Sequence, residues 1–595
     1  MRRAALCLAI GTLLAACDEA GEDAATGGGG LATGSGEASS ATTGSGATTG
    51  SGQSSGTGGG NPGEPCGEGP ITEACLCDGA AHETGWCCSD SWFDPAYADL
   101  IAGCPAADAF RYVDPAHPAA SDAAAGTADA PWATITHGVA TVAAGQALVV
   151  REGTYQVACT GIRYEPALNP QSGSPGAPVI IKASGAVIVE PAAVAAGTAQ
   201  GGTADSIVLA NDEPAMDNAY FHHHVRIVAG TGAGQSRQIM RNFDDLAIPS
   251  YDGATRTAWV GLSQGMGNWD TVPDATSQYE IVRNGPVIGT NGRQHVVWDG
   301  FHVRERDNYH PDTGPVVIWG SDHVVIMNSD LEATTEMLYD NHNVVRIEAS
   351  TASVVRNNLI HGIGMPEDVG PNNPQNHAAI MIYGSHDLII EHNEIADSFT
   401  GIFPKGSDGS GHLIRYNIIR GCEKAVRVSY HADVRVYQNV VYDCASAFQF
   451  AENITGIQVF NNVVHGGAMG LNNWFSISGA SAFNNVFYEV SGPAYFEGGV
   501  GTLSSNRNVF FGYQSFVPGD TFAGWQALGY DADSIAADPQ LVDPAGRDYR
   551  LGAGSPAQSL GLDEGDVDGD GDTAETIPAG AYVTGVEVIG RLGEP

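Results

Sequence analysis

The sequence predicts an all-β solenoid, a parallel β-helix, and three observations predict it. First, short runs rich in Val and Ile recur from Trp298 onward, among them VVIMNSDL, VVRNNLIHG, LIRYNIIRG and IQVFNNVVHG. Their alternation of apolar and polar residues marks strands rather than helices. Second, aligning the runs on one asparagine gives the series Asn328, Asn358, Asn393, Asn417, Asn439, Asn462, Asn485 and Asn508, whose last five intervals are 24, 22, 23, 23 and 23 residues. A fixed period of this length marks stacked repeats. Third, several strands share each repeat, which describes one coil of the solenoid. Coils stacked about 4.8 Å apart place like residues over one another, so the asparagines should hydrogen-bond along the stack. Asparagine also tolerates the left-handed backbone of a corner, and these residues are expected to turn it. Cys422 and Cys444 fall one coil apart, a separation open to a disulfide or to two stacked buried thiols.

Residues 1–17 pair two arginines with an apolar run too short to cross a bilayer, and they read as an export signal. The segment closes on Leu14-Ala15-Ala16-Cys17, which resembles a bacterial lipobox. That resemblance implies cleavage before Cys17, lipidation of Cys17, and anchoring to a membrane facing the periplasm or the cell surface. Residues 18–62 are Gly, Ser and Thr-rich and are expected to form a flexible tether with an r.m.s. span of about 35 Å. Residues 63–107 carry Cys66, Cys75, Cys77, Cys87, Cys88 and Cys104. After export they read as a disulfide-stapled module whose pairing is open, since CLC and CC suit a tetrahedral zinc site poorly.

The coils resemble the right-handed parallel β-helix superfamily of pectin-lyase-like proteins. Tyr112–Tyr155 resembles the amino-terminal cap of that superfamily, a short amphipathic helix leading into the first coil, and Ala537–Gly561 resembles its closing segment. The resemblance implies a cap and first coils at 108–197, further coils at 284–535 and a closing segment at 536–595, in a monomer. Residues 198–283 break the period with short strands between Gly- and Asp-rich turns, and read as an inserted small β domain. Its His222 and His224 would share one strand face, but no third ligand accompanies them, so they read as ordinary surface or core histidines. In the closing segment, Asp566, Asp568, Asp570 and Asp572 fall in DVDGDGDTAE, which matches the first half of a calcium loop. The twelfth position is Ile577, so the full EF-hand pattern fails and a looser all-oxygen calcium site is the metal expectation.

The net charge of −42, from 26 basic and 68 acidic residues, argues against a nucleic-acid partner. Aligning the strands that precede the asparagine strands yields one polar and aromatic column: Trp319, Glu348, Tyr383, Lys405, Arg427, Gln449 and Asn472. Unpaired charges do not face a core, so this column should face outward and meet an extended polymer, with His377 beside it. Stacked one above the other, Arg427 should lower the pKa of Lys405 and make it a better base, while both attract a carboxylate. The pair resembles the lysine and arginine of the chondroitinase B and alginate lyase family. That implies β-elimination from an acidic polysaccharide, with Lys405 as base, Arg427 assisting the leaving oxygen and Tyr383 completing the catalytic set. The family's calcium-holding acids before the lysine are replaced here by Thr400, Gly401, Ile402, Phe403 and Pro404. Two alternatives stay open: a glycoside hydrolase using two carboxylates, and a non-catalytic glycan-binding or adhesive surface lipoprotein.

Overall fold

The computed structural model describes residues 76–77, 80–81 and 109–595, except 222, 242–248, 261–266, 284, 306–313, 334–340, 364–375, 407, 468, 474–477, 493, 497–502, 515, 517–520, 569 and 593–595. Cys17, the tether and the cysteine pairing of residues 63–107 lie outside the described residues. One helix, α1 (Ile135–Thr141), buries Ile135 and Val139. Thr134 caps it by accepting the His137 amide on its hydroxyl, which satisfies an amide with no partner inside the helix. At Gly138 an added Cβ would lie 2.5 Å from Val113, so the helix packs close over the first coil.

Strands on both sides of α1 join one 27-stranded sheet in which each pairs in parallel with its counterpart one coil along. The parallel stacking puts Val316, Val345, Ile380, Ile402, Val426 and Phe448 in one interior column. The outcome is a parallel β-helix, as expected.

The asparagine column is real, with two corrections. Asn358, Asn393, Asn417, Asn439, Asn462, Asn485 and Asn508 are fully buried. Each Nδ2 up to Asn485 donates 3.0 Å to the Oδ1 of the next. The column begins at Ser329, whose amide donates to Asn358 Oδ1, and not at Asn328. Nor do the column asparagines turn the corner. The residue before each takes the left-handed conformation: Asn328, Asn357, His392, Tyr416, Gln438, Asn461, Asn484 and Arg507, with φ between 50° and 59°. Such strain costs about 1–3 kcal/mol per residue and persists only where the surroundings impose it. Here the next residue's side chain is committed to the column, so the corner is imposed on any residue type that precedes it.

Cys422 and Cys444 form a disulfide with their Cα atoms 4.4 Å apart. The insertion folds as two four-stranded antiparallel sheets, one including His224–Ala229 and Gln278–Val282, the other Ser206–Val208 and Thr257–Trp259. Its own core contains Ile207, Val225, Ile227, Tyr251, Tyr279 and Ile281. His224 is buried, His223 packs edge-on against Tyr220, and His222 lies outside the described residues. The closing segment lays Tyr549, Ala557, Ala579, Ala581 and Ile589 over an outward valine column, Val440, Val463, Val486 and Val509.

One sheet positions the candidate site. Its strands are β1 (Ile288–Asn291), β2 (Val316–Trp319), β3 (Asn343–Glu348), β4 (Ala378–Tyr383), β5 (Glu394–Lys405), β6 (Ile418–Val428), β7 (Val440–Phe450), β8 (Met469–Asn473) and β9 (Ala494–Phe496). β5, β6 and β7 run through a bend, so each contributes to two faces of the solenoid.

Candidate functional site

The expected column divides in two. Trp319, Glu348, Tyr383 and Lys405 stack in register from β2 to β5. Arg427, Gln449 and Asn472 stack from β6 to β8. Between β5 and β6, however, Ile402 pairs with Val426 and the Ser429 amide donates to Pro404 O. Arg427 therefore follows Phe403, and Lys405 is followed by Ser429. The coil from Ile402 to Val426 is two residues longer than the 22-residue spacing that would stack Lys405 on Arg427. The two cations share the outward face but stand two residues apart along the strand.

Most predicted residues are engaged by neighbours. Glu348 accepts two hydrogen bonds from Arg346 on one oxygen, at 2.8 and 2.9 Å, and one from Tyr164 at 2.8 Å on the other. Tyr164 in turn stacks on Trp319, with ring centroids 4.9 Å apart. Arg346 lies 4.5 Å over the Tyr383 ring. Lys405 donates to Asn376 Oδ1 at 2.5 Å, and its carbonyl contacts the His431 ring nitrogen at 3.0 Å. His377 is buried, and its carbonyl accepts the Thr400 amide. Gln449 is buried, and its Oε1 has no hydrogen-bond partner among the described residues. Asn472 is placed by register alone.

The lysine that Arg427 depresses is Lys424, three residues earlier on β6. Ala425, Val426 and Val428 belong to the solenoid core. Lys424 is itself buried, and Lys424 and Arg427 lie 4.1 Å and 4.4 Å over the rings of Phe399 and Phe403 on β5. Burial first, then the Arg427 charge, push the Lys424 ammonium down to about 8, against a smaller opposing pull from Glu423. That ammonium makes no hydrogen bond among the described residues. Along the stack Lys424 lies between Thr400 and Ser446, whose buried hydroxyls likewise lack partners there. Buried polar atoms are normally satisfied, so several unsatisfied ones around an amine of lowered pKa mark a place built to meet something else. Periodicity missed Lys424 because it sits at the bend, where in–out alternation lapses. Its one available signal was rarity: the chain has three lysines, Lys182, Lys405 and Lys424.

A second polar region is a cavity of about 530 Å³ between the insertion and the coils, lined by Glu190, Arg226, Glu280, Arg304, Glu305 and Glu332 among others. Three of its carboxylates are paired: Glu190 with Arg304 at 2.7 Å, Glu305 with His342 at 2.9 Å and Glu332 with His302 at 3.2 Å. The His302 hydrogen bond holds Glu332 below the usual carboxylate range. A hydrolase needs one carboxylic acid kept protonated near neutrality, which the paired Glu332 does not supply.

Residues 314–490 match the family described as right handed beta helix region. No curated protein matches the chain. Among solved structures, XylC in complex with xylose aligns at 13% identity over 73% of this chain and 87% of its own, with a TM-score of 0.43. Pectate lyase Pel9A aligns at 11% identity over 80% and 96%, with a TM-score of 0.39. The A-module of Azotobacter vinelandii mannuronan C-5 epimerase AlgE4 aligns at 11% identity over 66% and 91%, with a TM-score of 0.34. With coils in parallel register along its length and the family match across their centre, the chain is a right-handed parallel β-helix protein.

Proposed function

We propose that this chain acts on an extracellular acidic polysaccharide and cleaves it by β-elimination, with Lys424 as the base. The observation that carries the reading is Lys424 itself: an amine lowered to about 8, with no hydrogen bond among the described residues and with Arg427 beside it. At pH 7 roughly a tenth of such a lysine is neutral and able to take a proton, far more than of an ordinary one. A uronate carboxylate paired with Arg427 would have its charge neutralised, which acidifies the C5 hydrogen. Lys424 removes that proton, the electrons form the C4–C5 double bond, and the C4–O bond breaks with its oxygen taking up a proton from solvent water. Lys405 adds a further cation on the neighbouring strand β5, an attraction that a chain of net charge −42 presents only locally. Export and lipid anchoring through Cys17 belong to the same proposal, because such polymers lie outside the cell.

The test is a turnover assay on alginate, pectate, chondroitin sulfate and dermatan sulfate, followed by the ultraviolet absorbance of the unsaturated product. Turnover is expected to rise from pH 7 to pH 9, and Lys424→Met should lower it by at least about 100-fold. Loss in Lys405→Ala with retention in Lys424→Met would transfer the base to Lys405. Silence on every polymer, from protein shown to be folded, would exclude cleavage of these substrates. The seating of both cations on aromatic rings favours one second reading, a non-catalytic glycan-binding face. Retained binding to a polymer without turnover would establish it.

A further inference from the structure

The closing segment brings together carboxylates that the linear calcium pattern does not. One oxygen each from Asp563, Asp566 and Asp568 lie within 4.8 Å of one another, and so do one each from Asp568, Asp570 and Glu575. Asp568 is common to both groups. Glu575 arrives from the tenth position of the loop, where the EF-hand pattern would look to the twelfth, occupied by Ile577. Asp572 belongs to neither group and accepts the Ala574 amide.

Asp563 is the independent observation. It precedes the motif, is fully buried, and uses Oδ1 to accept the Val567 amide at 2.8 Å. Its Oδ2 is buried with no hydrogen-bond partner among the described residues. A fully buried carboxylate with one oxygen unsatisfied, grouped with two further carboxylates, is costly unless a cation joins them. A hard divalent cation taking oxygen ligands in flexible geometry removes that cost.

We propose that Asp563, Asp566, Asp568, Asp570 and Glu575 hold calcium, and that the ion clamps the closing segment to the coils. The clamp acts through two neighbouring contacts. Asn484 bonds the Leu562 backbone in both directions, at 2.7 and 3.2 Å. Val567 packs against the stacked rings of Tyr437, Phe460 and Phe483. Residues 562 and 567 flank Asp563, so ordering the acidic loop orders the two points at which it grips the solenoid.

The test is thermal unfolding and calorimetric calcium titration of the exported chain after chelation, with magnesium as a competitor. Calcium should raise the midpoint by at least about 2 °C and bind in a saturable, stoichiometric way. Asp563→Asn keeps the Oδ1 bond to Val567 and removes the charge. Without calcium this variant should equal or exceed the wild type in stability, and its calcium affinity should fall at least about tenfold. Asp129→Asn, an exposed carboxylate elsewhere, should leave both properties unchanged. A chain that shows no calcium-dependent midpoint and only weak, unsaturable uptake would overturn the proposal. Equal destabilisation of Asp563→Asn with and without calcium would also overturn it, by showing a carboxylate needed for packing alone.

Discussion

His431 shows how one residue ties the candidate site to the corner beneath it. Its ring lies between His412, at 2.8 Å, and the carbonyl of Lys405, at 3.0 Å. The His431 nitrogen facing that carbonyl must donate, which leaves the other to accept from His412. Burial pushes His431 down to about 4 and His412 well below its ordinary value. The folded state therefore binds fewer protons than the unfolded state between about pH 6.5 and pH 4. Stability should fall with acidification across that window, by up to about 3 kcal/mol for His431 alone. Denaturant melts of His431→Gln against the wild type, at pH 7 and pH 4.5, should show a shallower acid loss in the variant. Identical slopes would remove His431 from the acid response.

At the scale of the element, the asparagine column supplies what the interior valines cannot, a fixed register. Asn439 donates to Ile414 O, Tyr437 O and Asn462 Oδ1, and accepts from the amide and side chain of Asn417. Removing it leaves several buried groups without partners, each costing about 1–3 kcal/mol. Asn439→Ala is expected to lose roughly 3 kcal/mol or more in chemical denaturation. Asn439→Asp, which keeps the acceptor but sets a carboxylate oxygen against the Ile414, Tyr437 and Asn462 oxygens, should cost at least as much as alanine at neutral pH. Much of this was legible beforehand, because a column repeats at a fixed spacing and spacing is visible in a linear chain. At the bend of β5 and β6 the stacking of Lys405 on Arg427 assumed a spacing of 22, whereas the 24-residue interval already visible from Asn393 to Asn417 runs on through Ile402 and Val426 and shifts Lys405 off Arg427.

For the whole molecule, the ends decide whether the stack stays closed. The closing segment covers the outward valine column and part of the aromatic stack of Tyr437, Phe460 and Phe483. Deleting residues 561–595 would expose both, and contiguous apolar surface of this kind promotes association. The truncated chain is expected to show concentration-dependent association in sedimentation, while the full chain does not gain mass under the same conditions. An unchanged sedimentation profile would mean that the valine column tolerates water.

By itself the sequence determined the solenoid, its parallel strands, the asparagine column, the inserted β domain and the sheet on which cations gather. Each of these is written as periodicity, or as its interruption, and a repeated local preference survives folding because every coil meets the same neighbours. Only the tertiary structure decided which lysine Arg427 faces, that Glu348 is held by Arg346 and Tyr164, and that Asp563 and Glu575 join the acidic loop. Those pairings depend on how far each coil departs from the mean and on side chains separated by tens to hundreds of residues. Hydrogen bonds and charge–charge contacts act over a few ångströms, so a two-residue difference in coil length is enough to choose a different partner.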